Sequence, residues 1–185
     1  GLYWHNELKH ESDFHLNKTK TCESKNIQLI HIYEDDWLHK KEIVKSMILS
    51  IISKNSFIKL DKLEIKYISE DLKKDFLNKN YLYGNQESKY YLGTFYNENL
   101  VYVCGFSIIE DSLEINYICN KINFFFLDSF KQNLEKIINK FPHIKIIKFV
   151  LQRDWNYINN NICLENNFKL NKEKDPEFYY CFKYR

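Results

Sequence analysis

"KYYLGTFYNENLVYVCGFSII", residues 89–109, consists of two runs of aromatic and β-branched residues that flank a short polar segment. Aromatic and β-branched side chains favour β-strands, and the polar segment Asn97-Glu98-Asn99 has the composition of a tight turn. The stretch therefore predicts a β-hairpin. This hairpin decides the fold class, because the segments on both sides of it alternate between strand and helix patterns.

The sequence around the hairpin predicts further strands and helices. Ser69 is a suitable N-cap for a helix with an acidic first turn, and Pro142 ends an amphipathic helix. The predicted strands are residues 62–69, 112–119, 144–152 and 176–184, and the predicted helices are residues 69–81, 126–141 and 156–167. This order predicts a mixed α/β domain that spans residues 55–185.

The first 54 residues have a different pattern. A sparse apolar spacing with Asn26 as a stop predicts a helix over residues 12–25, and "IQLIHIY" predicts a strand over 27–33. Apolar residues at helical spacing after an acidic turn predict one helix over 34–54. Because the pattern changes near residue 54, we predict two domains, 1–54 and 55–185, with an overall mixed α/β (α+β) fold class.

Composition excludes several classes of protein. The formal net charge is only +2, so charge alone requires no polyanionic partner. Lys, Asn and Ile are abundant and Ala is absent, which is typical of an AT-rich genome and weakens arguments from residue counts. Five widely spaced cysteines form neither a zinc ribbon nor an evident disulfide framework. Since no apolar run approaches 18 residues, we expect a soluble intracellular protein without a membrane partner.

Three histidines occur at even steps near the start: His5, His10 and His15. On a helix, a step of five residues places two side chains about 140° apart, on different faces. A helical zinc pair requires a step of three or four residues. The spacing therefore argues against a three-histidine metal site.

Three blocks of the amino-terminal segment resemble a group of phage and giant-virus nucleases. The blocks are "GLYWH" at residues 1–5, "FHLNKTK" at 14–20 and "QLIHIYEDDW" at 28–37. Their order and spacing are similar to those of very-short-patch-repair endonucleases and EDxHD-type homing endonucleases. The resemblance implies a partial restriction-endonuclease-like module that acts on DNA, with Mg²⁺ as the cofactor when it is active.

The resemblance also implies roles for individual residues. His5, His15 and Glu34 would be catalytic, with His5 moving a proton near the metal-bound water and Glu34 supporting a metal. The remaining implied residues, which would line the DNA cleft, are Asn17, Lys18 and Lys20. In this family the essential acidic residue lies on a strand just before the first block. This chain does not include that strand, so we expect a truncated or degenerate nuclease in which cleavage depends on that strand.

Each of these residues also has a structural interpretation. Without the resemblance, His5 is a hydrogen-bonded loop histidine, and His31 is a structural residue of an apolar strand. Glu34 belongs to an acidic turn that stabilises the following helix, and the two lysines are solvated. Both interpretations stay open at the level of the sequence.

Residues 57–185 resemble the domain that follows the nuclease block in those viral proteins, which is itself GNAT-like, the fold of acyl-CoA N-acyltransferases. The resemblance implies a mixed-sheet domain. Such enzymes hold the CoA pyrophosphate at a glycine-rich turn, where this chain has Asp128-Ser129, and Cys163 occupies the position of a frequent catalytic tyrosine. Both differences argue against CoA as a cofactor.

The sequence thus supports three functions. The first is a DNA-acting protein that resembles a viral homing or repair-type endonuclease. The second is a GNAT-like N-acyltransferase, and the third is a non-catalytic subunit with protein partners in a larger viral complex. If the chain is viral, its expected location is the cytoplasm of an infected host cell.

Overall fold

The structure, a computed structural model, describes residues 14–52, 63–124, 129–151, 155–156 and 162–170. Its described elements, in chain order, are α1 (Phe14–Glu23), α2 (Glu34–His39), α3 (Lys41–Ile52), β1 (Glu64–Tyr67), α4 (Glu70–Asn80), β2 (Tyr90–Tyr96), β3 (Asn99–Ile109), β4 (Ser112–Asn120), α5 (Ser129–Lys140), β5 (Ile146–Phe149) and α6 (Ile162–Glu165). They form a five-stranded mixed sheet and helices, which confirms the mixed α/β fold class.

The predicted hairpin is formed by β2 and β3. Its two turn residues, Asn97 and Glu98, have φ angles of 47° and 64°. A pair of left-handed residues matches the right-handed twist of the flanking strands. The pairing slips once, between Thr94 and Phe95, so that Thr94 pairs with Tyr102 while Phe95 pairs with Leu100. The extra residue is a β-bulge, which locally increases the twist of the strand.

The sheet has the order β1-β2-β3-β4-β5. The first four strands pair with one another in antiparallel fashion. The chain then crosses through α5, and β5 pairs in parallel with the first half of β4, from Ser112 with Ile146 to Ile115 with Phe149. A parallel pair requires such a crossover connection. The sheet is therefore mixed, as the sequence predicts.

The two longer helices that flank this sheet cover its opposite faces. On one face, Phe76 and Leu77 of α4 pack in a buried cluster with Val103 of β3. On the other face, Asn133 of α5 donates a hydrogen bond of 2.8 Å to Thr94 Oγ1. Thr94 pairs with the residue that precedes Val103, and successive strand residues point to opposite faces. The core thus consists of two layers, one on each side of the sheet.

A lysine is buried on the α4 side. The side chain of Lys73 is fully enclosed, yet its Nζ donates to the carbonyl of Gln86 at 3.1 Å. The ammonium also lies 4.6 Å from the centre of the Tyr91 ring and 4.0 Å from a carboxylate oxygen of Glu70. These partners offset the cost of removing a charge from water. Lys73 consequently ties the loop after α4 to the helix.

Two local predictions need correction. The predicted single helix over 34–54 is interrupted at Lys40, between α2 and α3. The predicted strand over 27–33 is wrong for this structure, because those residues join no sheet of the described chain. Strand character depends on a neighbouring strand that supplies hydrogen bonds. Apolar composition alone could not establish one.

The described residues fall into two compact units. One comprises residues 35–150, and the other comprises the described parts of 1–34 and 151–185. Helix α3 belongs to the unit that contains the sheet, where Ser46 Oγ accepts a hydrogen bond of 2.8 Å from the backbone N–H of Asn123. The predicted division at residue 54 rests on resemblance and stays a prediction. The predicted final strand, 176–184, lies outside the described residues.

Candidate functional site

Helix α1 carries four of the predicted site residues. It ends where Asn26 adopts a left-handed φ of 57°. The N–H groups of Asn26 and Ile27 donate to the carbonyls of Glu23 and Cys22, at 2.9 and 3.0 Å. This is the Schellman arrangement that satisfies the last carbonyls of a helix. The predicted stop at Asn26 is therefore confirmed.

The two sides of α1 differ in exposure. Thr19 is buried, and His15, one turn before it, is half-buried. The predicted DNA-binding residues Asn17, Lys18 and Lys20 are all exposed. Successive residues of an α-helix are rotated by about 100° about its axis, which separates Thr19 and His15 from the three exposed residues. The helix therefore turns His15 inward and keeps the predicted DNA-binding residues in solvent.

The inward side of α1 meets the segment that follows it. The rings of His15 and His31 make an edge-to-face contact with centroids 5.1 Å apart, and the Tyr33 ring lies 6.3 Å from that of His15. Thr19 Oγ1 lies 2.7 Å from His31 Nε2 and 3.1 Å from the carbonyl oxygen of His15. We call these four residues, His15, Thr19, His31 and Tyr33, the histidine cluster.

The hydroxyl of Thr19 limits the hydrogen bonds that Nε2 of His31 can make. A hydroxyl has one hydrogen to donate. When this hydrogen goes to the His15 carbonyl, Thr19 Oγ1 must accept from an N–H at Nε2 of His31. Nδ1 of His31 is then the nitrogen that carries the lone pair, since a neutral imidazole has one protonated nitrogen. With that arrangement of hydrogens, the Thr19 hydroxyl would favour one neutral tautomer of His31.

The structure describes two of the three predicted catalytic residues. His15 joins the histidine cluster, and Glu34, the first residue of α2, is exposed and follows directly after Tyr33. His5, the other predicted catalytic residue, lies outside the described residues. The predicted catalytic roles of His5, His15 and Glu34 stay predictions.

Sequence reasoning missed the position of His31. It assigned this residue to the structure of an apolar strand, whereas its ring contacts His15 and its Nε2 contacts Thr19. One signal was available, because a histidine within an apolar run needs a polar partner. Thr19 lies four residues after His15, and hence on the same side of the helix.

The described residues do not by themselves fit Mg²⁺. This ion takes oxygen ligands in octahedral geometry, and Glu34 is the single carboxylate among the predicted site residues that the structure describes. Within the described ranges, no group of three or more His, Cys, Asp or Glu side chains could hold a metal ion. The predicted Mg²⁺ dependence therefore stays a prediction about a site that extends beyond these residues.

Two features bear on the acyltransferase alternative. Ser129, the first residue of α5, is fully buried, while Asp128 lies outside the described residues. Burial raises the pKa of the Cys163 thiol to about 11. This thiol consequently stays protonated at neutral pH. The predicted lack of CoA binding stays a prediction.

None of the described helices has the length and apolar character that a membrane span requires.

No known protein-family model matches this chain, and no curated protein sequence matches it either.

Replacing Thr19 with valine should lower the free energy of unfolding by about 1–2 kcal/mol, because the buried hydrogen bond to His31 is lost. Thr21→Val is the matched control. Thr21 is exposed, and its hydroxyl also donates to a carbonyl four residues earlier, that of Asn17, at 2.8 Å. We expect the control to change stability by less than about 0.5 kcal/mol. Urea denaturation measures both values, and equal losses would contradict a stabilising role for the His31 contact.

Proposed function

We propose that this chain is a DNA-acting protein, related in function to the viral homing and repair-type endonucleases that it resembles, and that DNA binding is its primary activity. One observation carries the proposal. The three predicted DNA-binding residues of α1, Asn17, Lys18 and Lys20, are exposed on the helix, whereas His15 belongs to the histidine cluster.

Electrostatics supports this proposal. No ion pair between described residues involves Lys18 or Lys20. The ammonium of Lys18 lies 4.1 Å from the centre of the Phe14 ring, and no described carboxylate pairs with it. A lysine without a carboxylate partner can bind a DNA phosphate and release the counterions that surround it. This release supplies much of the affinity of protein–DNA complexes.

Cleavage is the conditional part of the proposal. The histidine cluster supplies an imidazole that could move a proton, but phosphodiester hydrolysis with Mg²⁺ also needs carboxylate ligands. The resemblance assigns the essential carboxylate to a strand that precedes the first block. Cleavage would therefore require that acidic residue together with His5, His15 and Glu34.

The proposal is tested by fluorescence anisotropy of a labelled DNA duplex titrated with the full chain. We expect Lys18→Gln combined with Lys20→Gln to weaken binding about tenfold, because two phosphate contacts are removed. Lys79→Gln is the matched control, since Lys79 is exposed on another helix but pairs with Asp75 at 2.8 Å. The control should bind as the unaltered chain does.

A plasmid-nicking assay with Mg²⁺ separates binding from cleavage. Nicking that His15→Ala abolishes would support an endonuclease, and binding without nicking would support a DNA-binding protein. A chain that is folded but binds no duplex at low salt would contradict the proposal and favour a non-catalytic subunit with protein partners.

A further inference from the structure

The exposed side of α1 extends beyond the residues that the sequence singled out. Lys25 lies in the turn just after the helix, one residue before the left-handed Asn26, and is exposed. It follows Lys18 by seven residues, which is close to two helical turns and about 10 Å along the axis. Lys25 and Lys18 therefore lie on the same side. The exposed residues of this surface, which we call the α1 basic face, are Asn17, Lys18, Lys20, Thr21, Ser24 and Lys25. At about 100° per residue they span an arc of about 160°, with Lys20 at one edge and Lys18 and Lys25 at the other.

The α1 basic face differs from the exposed surfaces of the other described helices of similar length. It carries three lysines and no carboxylate, and none of the three takes part in an ion pair between described residues. On α3, Lys45 pairs with Glu42 at 2.8 Å. On α5, Lys136 donates to the carbonyl of Ile65. Those cations already have partners within the protein.

Two of the uncharged residues of the α1 basic face already use their hydroxyl groups in hydrogen bonds within the helix. The hydroxyl of Thr21 donates to the carbonyl of Asn17 at 2.8 Å, and that of Ser24 donates to the carbonyl of Thr21 at 2.9 Å. Each hydroxyl has given its one hydrogen to the helix. These two hydroxyls are therefore poorly suited to donate to base edges, and the lysines remain as the main contact groups beside the Asn17 amide. Ammonium groups bind phosphates as point charges.

We infer that Lys25 acts with Lys18 and Lys20 as a three-lysine contact to the phosphate backbone of duplex DNA, and that this contact is independent of base sequence. The inference rests on the proposed function, and it adds both a residue and a mode of recognition. Phosphate contacts position a protein on DNA, whereas base contacts specify sequence. The α1 basic face thus provides affinity and orientation.

The salt dependence of binding tests this inference. The affinity of the full chain for two 20-base-pair duplexes of unrelated sequence would be measured by anisotropy over a series of salt concentrations. Each neutralised phosphate contributes about 0.9 to the slope of log affinity against log salt, so this face should contribute about 2.7. Lys25→Gln should reduce the slope by about 0.9 and weaken binding to both duplexes by the same factor. Lys79→Gln should leave the slope unchanged.

The outcomes distinguish this inference from the proposed function. A folded chain that binds neither duplex overturns both. A chain that binds DNA, but whose slope is the same with Lys25→Gln as without it, overturns the inference alone. A loss of affinity that differs between the duplexes overturns the claim of sequence independence. Because Lys25 is exposed, the variant should unfold at the same urea concentration as the unaltered chain, which circular dichroism would check.

Discussion

Replacing Phe106 with alanine should lower the free energy of unfolding by about 3–5 kcal/mol. The Phe106 side chain has no solvent exposure, and it stacks on Tyr90 with ring centroids 5.3 Å apart. Phe141 contacts it from a second direction, at 6.5 Å. Truncation would remove a large apolar surface and leave a cavity beside two aromatic rings.

Urea denaturation of the full chain measures this loss. Ile109→Ala is a control on the same strand, because Ile109 is 55% exposed and its truncation should cost less than about 1 kcal/mol. A loss of less than about 1 kcal/mol for Phe106→Ala would contradict the central position of Phe106 in the core. The two variants together test burial along a single strand.

The neighbouring residue, Gly105, should also be intolerant of change, because the space beside it is too small rather than too large for the new side chain. A Cβ at this position would lie 2.1 Å from Cζ and 2.4 Å from Cε1 of Tyr117. The Tyr117 ring cannot move aside easily, because it is buried and its hydroxyl lies 3.2 Å from Ser88 Oγ. Gly105→Ala should therefore destabilise the protein by about 3 kcal/mol, at the upper end of the usual cost of overpacking.

A second substitution tests the cause of this effect. Leucine lacks the ring atoms that the new Cβ would meet, so adding Tyr117→Leu to Gly105→Ala should recover part of the lost stability. A double-mutant cycle gives the coupling energy between the two positions. Additive losses in the cycle would show that steric conflict with Tyr117 is not the cause, and a loss of less than about 0.5 kcal/mol for Gly105→Ala would contradict the close approach itself.

The parts of the fold that depend on nearby residues could be predicted from sequence. The turn at Asn97 and the stop at Asn26 require residues that tolerate left-handed angles, and asparagine is such a residue. Ser69 caps α4 as expected, and its hydroxyl accepts from the N–H of Leu72. These features are encoded within a few residues, where pattern and propensity act directly.

The parts that depend on distant residues could not be predicted. Whether residues 27–33 form a strand depends on a partner strand, and their composition does not reveal one. The burial of Ser46 and Lys73 follows from hydrogen bonds to Asn123 and Gln86, which lie 77 and 13 residues away along the chain. A polar residue at such a position looks exposed until its partner is known.

The same division applies to the candidate site. The exposure of Lys18 and Lys20 agrees with the interpretation of these lysines as solvated, and Asn17 is exposed beside them on the predicted helix. The contact between His15 and His31 joins two segments that the sequence interpreted separately. Resemblance identified His15, whereas only the three-dimensional arrangement placed His31 beside it.

The left-handed residues have a consequence for the way this sequence can vary. Among the described residues, six non-glycine positions have positive φ angles, and four of them are asparagines: Asn26, Asn97, Asn123 and Asn167. Asparagine is the residue that best replaces glycine in this conformation, and most others incur a steric cost of roughly 1–2 kcal/mol. The backbone conformation therefore limits which residues these four positions accept. Replacing any of these asparagines with a β-branched residue should destabilise the protein even where the side chain is exposed.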